Sequence, residues 1–347
     1  MMKVSTKFII AVVFLMYSIQ VAFAQTKAAN ENYEKAYLEM AYMLDGKAPI
    51  SIRRAVFMTE WSYLDGNLDY EKDFCAPILK DVSYMRRWKN ANNLSKYKTA
   101  KQITLCNFFF YPWSGNRYIP FTYDFDEQTP DSWEHQLVSK VLKTHKGQCH
   151  SLPCTFMLYA EEFGADVYLA RAPRHCFIMY KDEDNQFPED WVNVEVTAQQ
   201  YQPTWAIKEH FEITDSAVLV GTYLTPLTKE ETIAYQLSEL ALSYYYKYGR
   251  YDAFTLKCAV KALEHYKMNP TAIIIKAKSL ESHLMEYLKY NGGLCDFVTD
   301  ELDSKLLQCS KDLDSTHWTQ ETEELRQKWK QSPEEIERIK KNIQIIK

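Results

Sequence analysis

A glycine turn, a cysteine and a long apolar run follow one another at residues 147–163 of this 347-residue chain. The run extends from Leu152 to Phe163, and Gly164 follows it as a glycine follows the end of a helix. Pro153 fits only the first turn of such a helix. The pattern therefore predicts that Cys149 lies at a helix N-terminus, where the helix dipole favours an anion and hence a thiolate. A cysteine in this setting is a candidate nucleophile.

Downstream, two short segments alternate apolar and polar side chains and are predicted to be β-strands, His175–Tyr180 and Trp191–Thr197. In the second strand one face holds three valines, and the opposite face holds Asn193 and Glu195. If the strands are neighbours, His175 and Glu195 can face each other, and Cys149 can approach from the helix. In such an arrangement the imidazole takes the thiol proton while an acid orients the ring.

This stretch resembles the core of the transglutaminase-like superfamily, a papain-like group with a Cys-His-Asp triad. The family pattern is Gly-x-Cys at a helix start, His-x-aromatic on one strand and Trp-x-x-x-Asp-x-Thr on the next. The chain has the matching residues in the same order: Gly147-x-Cys149, His175-x-Phe177 and Trp191-x-x-x-Glu195-x-Thr197. The resemblance implies an α+β fold in which a cysteine-bearing helix packs on a small antiparallel sheet. It also implies Cys149 as nucleophile, His175 as base and Glu195 in the place of the acid.

The chain departs from the family pattern in two respects. Glu195 replaces the usual aspartate, and its side chain is longer by one methylene, which can misplace the carboxylate. Asn193 is therefore an alternative partner for the His175 ring, as an asparagine is in papain-like enzymes. His175 lies only 26 positions after Cys149, a short spacing for this superfamily, which predicts a core smaller than usual. Trp133 and Gln136 lie upstream of the cysteine, where related folds place an oxyanion-hole donor.

Two functions remain open at the level of sequence. The first is a cysteine hydrolase or acyl transferase that acts on amide bonds in a peptide or protein substrate, with water or an amine as acceptor. The second is a non-catalytic protein that binds a peptide or protein partner through its helical C-terminal region. Whether the chain is an enzyme is left undecided by these patterns, because a fold does not guarantee its usual chemistry.

The N-terminal residues predict export from the cytoplasm. Residues 1–24 combine two lysines, an apolar run and a final Ala-Phe-Ala, which is the pattern of a signal peptide cleaved after Ala24. We expect a periplasmic or extracellular protein with no later membrane-spanning segment. Loss of the two lysines moves the formal charge from −5 to −7. This acidic balance gives no support for binding to nucleic acid or to anionic membranes.

Eight cysteines lie beyond the signal segment, and no two of them form a CxxC pair. The histidines are scattered, so the sequence predicts no zinc or other metal site and no cofactor. Cys154 and Cys176 are expected to be core residues, because both point away from the predicted site. Cys295 and Cys309 are candidates for a disulfide bond in the C-terminal region.

The remaining segments suggest a helical protein around this core. Residues 25–130 are predicted to be a helical region, interrupted by loop or short strands at 103–123, where prolines and a glycine punctuate an aromatic stretch. Residues 131–227 form the predicted core, which opens with a helix from Asp131 to Thr144 and closes with loop and strand after Thr197. Residues 228–290 resemble a tetratricopeptide repeat, with a turn at Gly249 and Tyr251 between two helical segments and Pro270 after the second, which implies a groove for a peptide or protein partner; a plain helical hairpin is the alternative. Residues 291–347 are predicted to be a charged helical tail with an isoleucine stripe near its end.

Overall fold

The computed structural model describes residues 31–125 and 132–320. The fold is α+β, and it is mostly helical, with a four-stranded antiparallel sheet and a separate pair of parallel strands. The predicted signal segment and the isoleucine stripe lie outside the described residues. Within residues 31–125 and 132–320, no helix combines the length and the apolar character needed to cross a bilayer.

The N-terminal region is helical, as predicted. Its helices are α1 (31–44), α2 (Ile52–Tyr63), α3 (Ala76–Ala91) and α4 (Ala100–Phe110), and a π-helical turn at Tyr70–Cys75 leads into α3. The prediction of loop or short strands at 103–123 is wrong for its first part, which is α4. Phe108 and Phe109 are fully buried and pack against Phe121 and Tyr159. Because α4 is apolar on most sides, it lacks the one-sided stripe that identifies a surface helix in a sequence.

The predicted single helix from Asp131 to Thr144 is also wrong. The structure has a 3₁₀ turn at Trp133–Gln136, an extended residue at Leu137 and a separate helix α5 (Val138–Thr144); Asp131 lies outside the described residues. Buried Glu60 of α2 accepts hydrogen bonds from the backbone N–H groups of the first two α5 residues, at 2.5 and 3.0 Å. This cap comes from a distant part of the chain, so no local sequence pattern reports it.

The helix that follows Cys149 is α6 (Ser151–Phe163), and Gly164 ends it with φ of +69°. It packs against a sheet in the order β3 (Tyr168–Ala172), β4 (His175–Lys181), β5 (Trp191–Glu195) and β6 (Gln200–Gln202), all antiparallel. The alternation predicted for β4 and β5 is observed. Cys176, Ile178 and the valines of β5 belong to the main core, while Phe177 and Met179 pack on the opposite face.

The opposite face of the sheet is covered by α7 (Thr204–Phe211) and α8 (Asp215–Leu219), where the sequence predicted loop and strand. Both helices are short and bury few side chains. Ile207 is the buried residue of α7 and Ala217 is that of α8. A helix that buries a single position has too little periodicity to be recognised in a sequence.

The C-terminal helices are α9 (Lys229–Tyr248), α10 (Ala253–His265), α11 (Pro270–Tyr290) and α12 (Phe297–Ser315). The predicted boundary near Leu227 coincides with the start of α9, which Thr228 caps together with Glu231. The boundary does not divide the core, because α9 and α10 share one buried cluster with α6 and β4. Buried Arg171 of β3 reinforces this connection by donating to Asn269 at 2.9 Å and to Thr271 at 2.8 Å.

All eight cysteines are free thiols, so the predicted Cys295–Cys309 disulfide bond is wrong. Cys309 is buried between α11 and α12, whereas Cys295 is exposed just before α12 begins. Cys309 lies twelve residues into that helix, which is about 18 Å along its axis at 1.5 Å per residue. A disulfide bond requires Cα atoms within about 7 Å. Cys154 and Cys176 are buried, in agreement with their predicted role in the core.

Candidate active site

Cys149 lies two residues before the start of α6, in a turn that neighbouring contacts hold fixed. The turn begins in β2 (Lys146–Gly147), which pairs in parallel with β1 (Thr122–Tyr123). A Cβ atom at Gly147 would lie 2.6 Å from Val141 Cγ2 and 2.8 Å from Ser151 Oγ, so only glycine fits there. Gln148 N–H donates to the same Ser151 hydroxyl at 2.9 Å. The side chain of Cys149 remains partly accessible to solvent.

The sulfur of Cys149 faces the turn between β3 and β4. Its thiol donates to the backbone carbonyl of Arg174 at 3.7 Å. Arg174 adopts the left-handed conformation with φ of +53°, which is uncommon for a residue with a Cβ atom. Strained backbone of this kind is concentrated at functional sites. The same turn leads directly to His175, so the thiol and the imidazole are neighbours.

The structure pairs His175 with Glu195. His175 Nε2 lies 2.6 Å from Glu195 Oε2, and both side chains are largely buried. The other carboxylate oxygen of Glu195 accepts from Thr197 N–H at 3.1 Å and from Thr197 Oγ1 at 2.6 Å. These bonds hold the carboxylate against the ring, and the extra methylene of glutamate therefore does not displace it. The threonine of the Trp-x-x-x-Glu-x-Thr pattern thus orients the acid.

Asn193, the alternative partner for the ring, is occupied elsewhere. It is buried, and its Nδ2 atom donates to Gln202 O at 3.1 Å and to Thr204 Oγ1 at 3.0 Å. Glu189 accepts from the backbone and the hydroxyl of Thr204 at the same place. Asn193 therefore helps to fix the start of α7, and Glu195 is the residue that contacts His175.

Residue Phe211 forms part of the site but was missed at the level of sequence. Its ring stacks on the imidazole of His175, with centroids 5.0 Å apart and planes inclined by 22°. Phe211 is the last residue of α7, whose start is held by Asn193. No motif marks it, because it reaches the site through a short helix that the sequence pattern did not reveal.

The electrostatics of the site favour a charged histidine. Burial by itself lowers the pKa of His175, but the charge of Glu195, and hydrogen bonding to Cys149 and Glu195, raise it to about 10. Burial raises the pKa of Glu195, and the positive charge and hydrogen bond of His175 outweigh that effect and lower it. The buried pair is therefore an imidazolium beside a carboxylate. A charged proton donor therefore lies beside the Cys149 sulfur.

The other two thiols near the site are chemically different. Burial raises the pKa of Cys154 well above its ordinary value, although its sulfur lies 3.6 Å from His150 Nε2. Burial likewise raises the pKa of Cys176 to about 12. Both remain protonated at neutral pH and are poor nucleophiles. Of the three neighbouring cysteines, Cys149 alone combines accessibility with the His175–Glu195 pair.

No protein-family profile, curated protein or solved structure matches this chain. The class of the site therefore rests on its own geometry: a thiol at the start of a helix, an imidazole and a carboxylate on adjacent strands, and an aromatic cover. Such a group can perform nucleophilic attack by sulfur with proton transfer through the ring.

Proposed function

We propose that this protein is an exported cysteine hydrolase or acyl transferase that acts on amide bonds through Cys149, His175 and Glu195. The observation that carries the proposal is the 2.6 Å contact between His175 and Glu195 beside the thiol of Cys149. A transglutaminase-like, papain-like core is supported by the packing of α6 on the antiparallel sheet, with the cysteine just before the helix and the other two residues on β4 and β5.

The proposed reaction follows from the roles of the two ring nitrogens. Nε2 of His175 is held by Glu195, so Nδ1 is the nitrogen that exchanges a proton with substrate. The Cys149 thiolate attacks the amide carbonyl, and a C–S bond forms. The imidazolium then donates its proton to the amide nitrogen, the C–N bond breaks and an amine leaves. Water or a second amine attacks the resulting thioester, with neutral His175 as the base.

The pH dependence of alkylation tests whether Cys149 is such a nucleophile. Iodoacetamide labelling would be followed site by site by mass spectrometry, with exposed Cys295 as the reference thiol in the same molecule. We expect Cys149 to react at about pH 5–6, where an ordinary thiol is protonated, and to lose this advantage in His175→Ala. Identical pH profiles for Cys149 and Cys295 would reject the enzyme proposal.

The competing function is partner binding without catalysis. It is favoured by the helical hairpin of α9 and α10, in which Gly249 ends the first helix with φ of +67° and Asp252 caps the second. This arrangement is consistent with a tetratricopeptide-like unit, a class of structure that presents peptide-binding grooves. If the alkylation experiment rejects a reactive Cys149, peptide binding to this hairpin becomes the favoured function.

A further inference from the structure

The two-stranded sheet holds a tyrosine opposite the start of the turn that bears Cys149. Tyr123 is paired with Gly147, two residues before the cysteine. On the adjoining residue, Asp124 N–H donates to Gly147 O at 2.8 Å, and Gln148 Nε2 donates to Asp124 O at 2.7 Å. The strand that bears Tyr123 is therefore tied to the residues on the N-terminal side of Cys149, so tyrosine and cysteine keep a fixed relation.

The hydroxyl of Tyr123 is available as a hydrogen-bond donor. The residue is half-buried, its ring lies 4.9 Å from that of Phe125, and its hydroxyl bonds to no group in the described ranges 31–125 and 132–320. Burial raises the pKa of Tyr123, and the negative charges of Cys149 and Asp124 raise it further. The hydroxyl is therefore protonated throughout the neutral range and can donate a hydrogen bond.

We propose that Tyr123 is a further catalytic residue, which donates a hydrogen bond to the carbonyl oxygen of the acyl group attacked by Cys149; this inference rests on the proposed function. When the C–S bond forms, the π electrons of the carbonyl move to its oxygen, and the Tyr123 O–H group stabilises that charge without giving up its proton. The electron pair returns when the amine, protonated by His175, leaves. A donor already fixed in place is effective because little reorganisation is needed during the reaction.

Two reactions of the same sulfur separate this role from a structural one. Acetylation by p-nitrophenyl acetate passes through an oxyanion, whereas alkylation by iodoacetamide does not. In Tyr123→Phe we expect acetylation of Cys149 to slow by about 10²-fold or more, the effect of removing one oxyanion donor. We expect its alkylation rate to change by less than about twofold, because attack of the sulfur on iodoacetamide creates no oxyanion for the Tyr123 hydroxyl to stabilise. The matched control is Tyr118→Phe, which removes the hydroxyl of an exposed tyrosine nearby in sequence.

The outcomes are distinguishable. Acetylation that stays within about twofold of wild type in Tyr123→Phe overturns the inference, since a donor to the oxyanion is worth far more. Loss of acetylation in Trp133→Phe with a normal Tyr123→Phe also overturns it, because buried Trp133 Nε1 has no hydrogen-bond partner among the described residues and is the rival donor. Equal loss of acetylation and alkylation in Tyr123→Phe would show a structural role and overturn it as well. If wild-type Cys149 reacts no differently from Cys295, the proposed function fails, and this inference fails with it.

Discussion

At the scale of single residues, Glu195 illustrates how a longer side chain can serve where a shorter one is expected. The carboxylate uses one oxygen for His175 and the other for Thr197, so three atoms define its position: one on β4 and two on the residue just beyond β5. Asn193 has the same orientation on the strand but reaches Thr204 instead. The sequence could place both on one face, but it could not choose between them, because the choice depends on where α7 begins.

We predict that Glu195→Gln lowers the pKa of His175 from about 10 toward the ordinary value near 6.5, because the buried charge that favours the imidazolium is lost. The measurement is an NMR titration of the His175 ring. Acyl transfer by Cys149 should fall by about 10³-fold, as expected when the residue that orients a catalytic histidine is neutralised. Glu183→Gln, at an exposed position, is the control. An unchanged midpoint in Glu195→Gln would refute this account.

The same raised pKa links the site to stability. Because folded His175 binds its proton more tightly than unfolded His175, its contribution to stability is complete below about pH 6.5 and disappears as the pH rises toward about 10. In Glu195→Gln the stability that protonated His175 contributes should be lost over a narrower pH range that ends at a lower pH.

At the scale of elements, the predictable parts are those that bury one clear face. The end of α6 at Gly164 and the alternation of β4 and β5 followed from local patterns and are observed. The start of α5 did not follow from a local pattern, because Glu60 of α2, 78 residues earlier in the chain, caps it. Helices α4 and α7 were missed for opposite reasons: α4 is buried on most sides, and α7 buries a single residue. Both the cap of α5 by Glu60 and the stacking of Phe211 on His175 are therefore tertiary contacts, which a local sequence pattern does not report.

Glu60 provides a prediction at this scale. Burial raises its pKa from 4.5 to about 7, although the N–H groups of Val138 and Ser139 and the charge of Lys143 oppose the shift. The folded state therefore binds this proton more tightly, and the free energy of unfolding falls as the pH rises from about 4.5 through about 7. Glu60→Gln should flatten this slope in urea denaturation curves.

The control for that experiment is Glu39→Gln, which removes a carboxylate that pairs with Arg54 nearer the surface. It should leave the slope between pH 4.5 and 7 as it is in wild type. An identical slope in Glu60→Gln and wild type would show that Glu60 is ionised throughout this range in the folded protein.

At the scale of the whole molecule, the sheet and the C-terminal helices form one unit around Arg171. Its guanidinium lies over the ring of Tyr235, 4.8 Å from the centroid, and contacts Asn269 and Thr271 at the start of α11. The helical, repeat-like pattern that begins after residue 227 suggested separate regions on either side of that point. The shared core could not be inferred from it, because no local pattern reports which distant faces pack together.

We predict that Arg171→Lys destabilises the fold by about 1–3 kcal/mol, since lysine cannot reach both acceptors and leaves a buried polar group unpaired. The same exchange at Arg250, on the surface between Tyr244 and Asp252, should change stability by no more than about 0.5 kcal/mol. Urea denaturation of the two variants provides the comparison. Equal effects would contradict the role assigned to Arg171.

The backbone of β3 has a further consequence. Its outer edge is covered by the segment before α9, where Leu224 N–H donates to Arg171 O and Leu227 N–H donates to Leu169 O, both at 2.9 Å. Until that segment is in place, β3 presents unpaired carbonyls to any other chain, and an open strand edge is a template for aggregation. Refolding yields should therefore decline steeply with protein concentration, because chains whose β3 edge is still open can pair with one another before their own C-terminal helices dock.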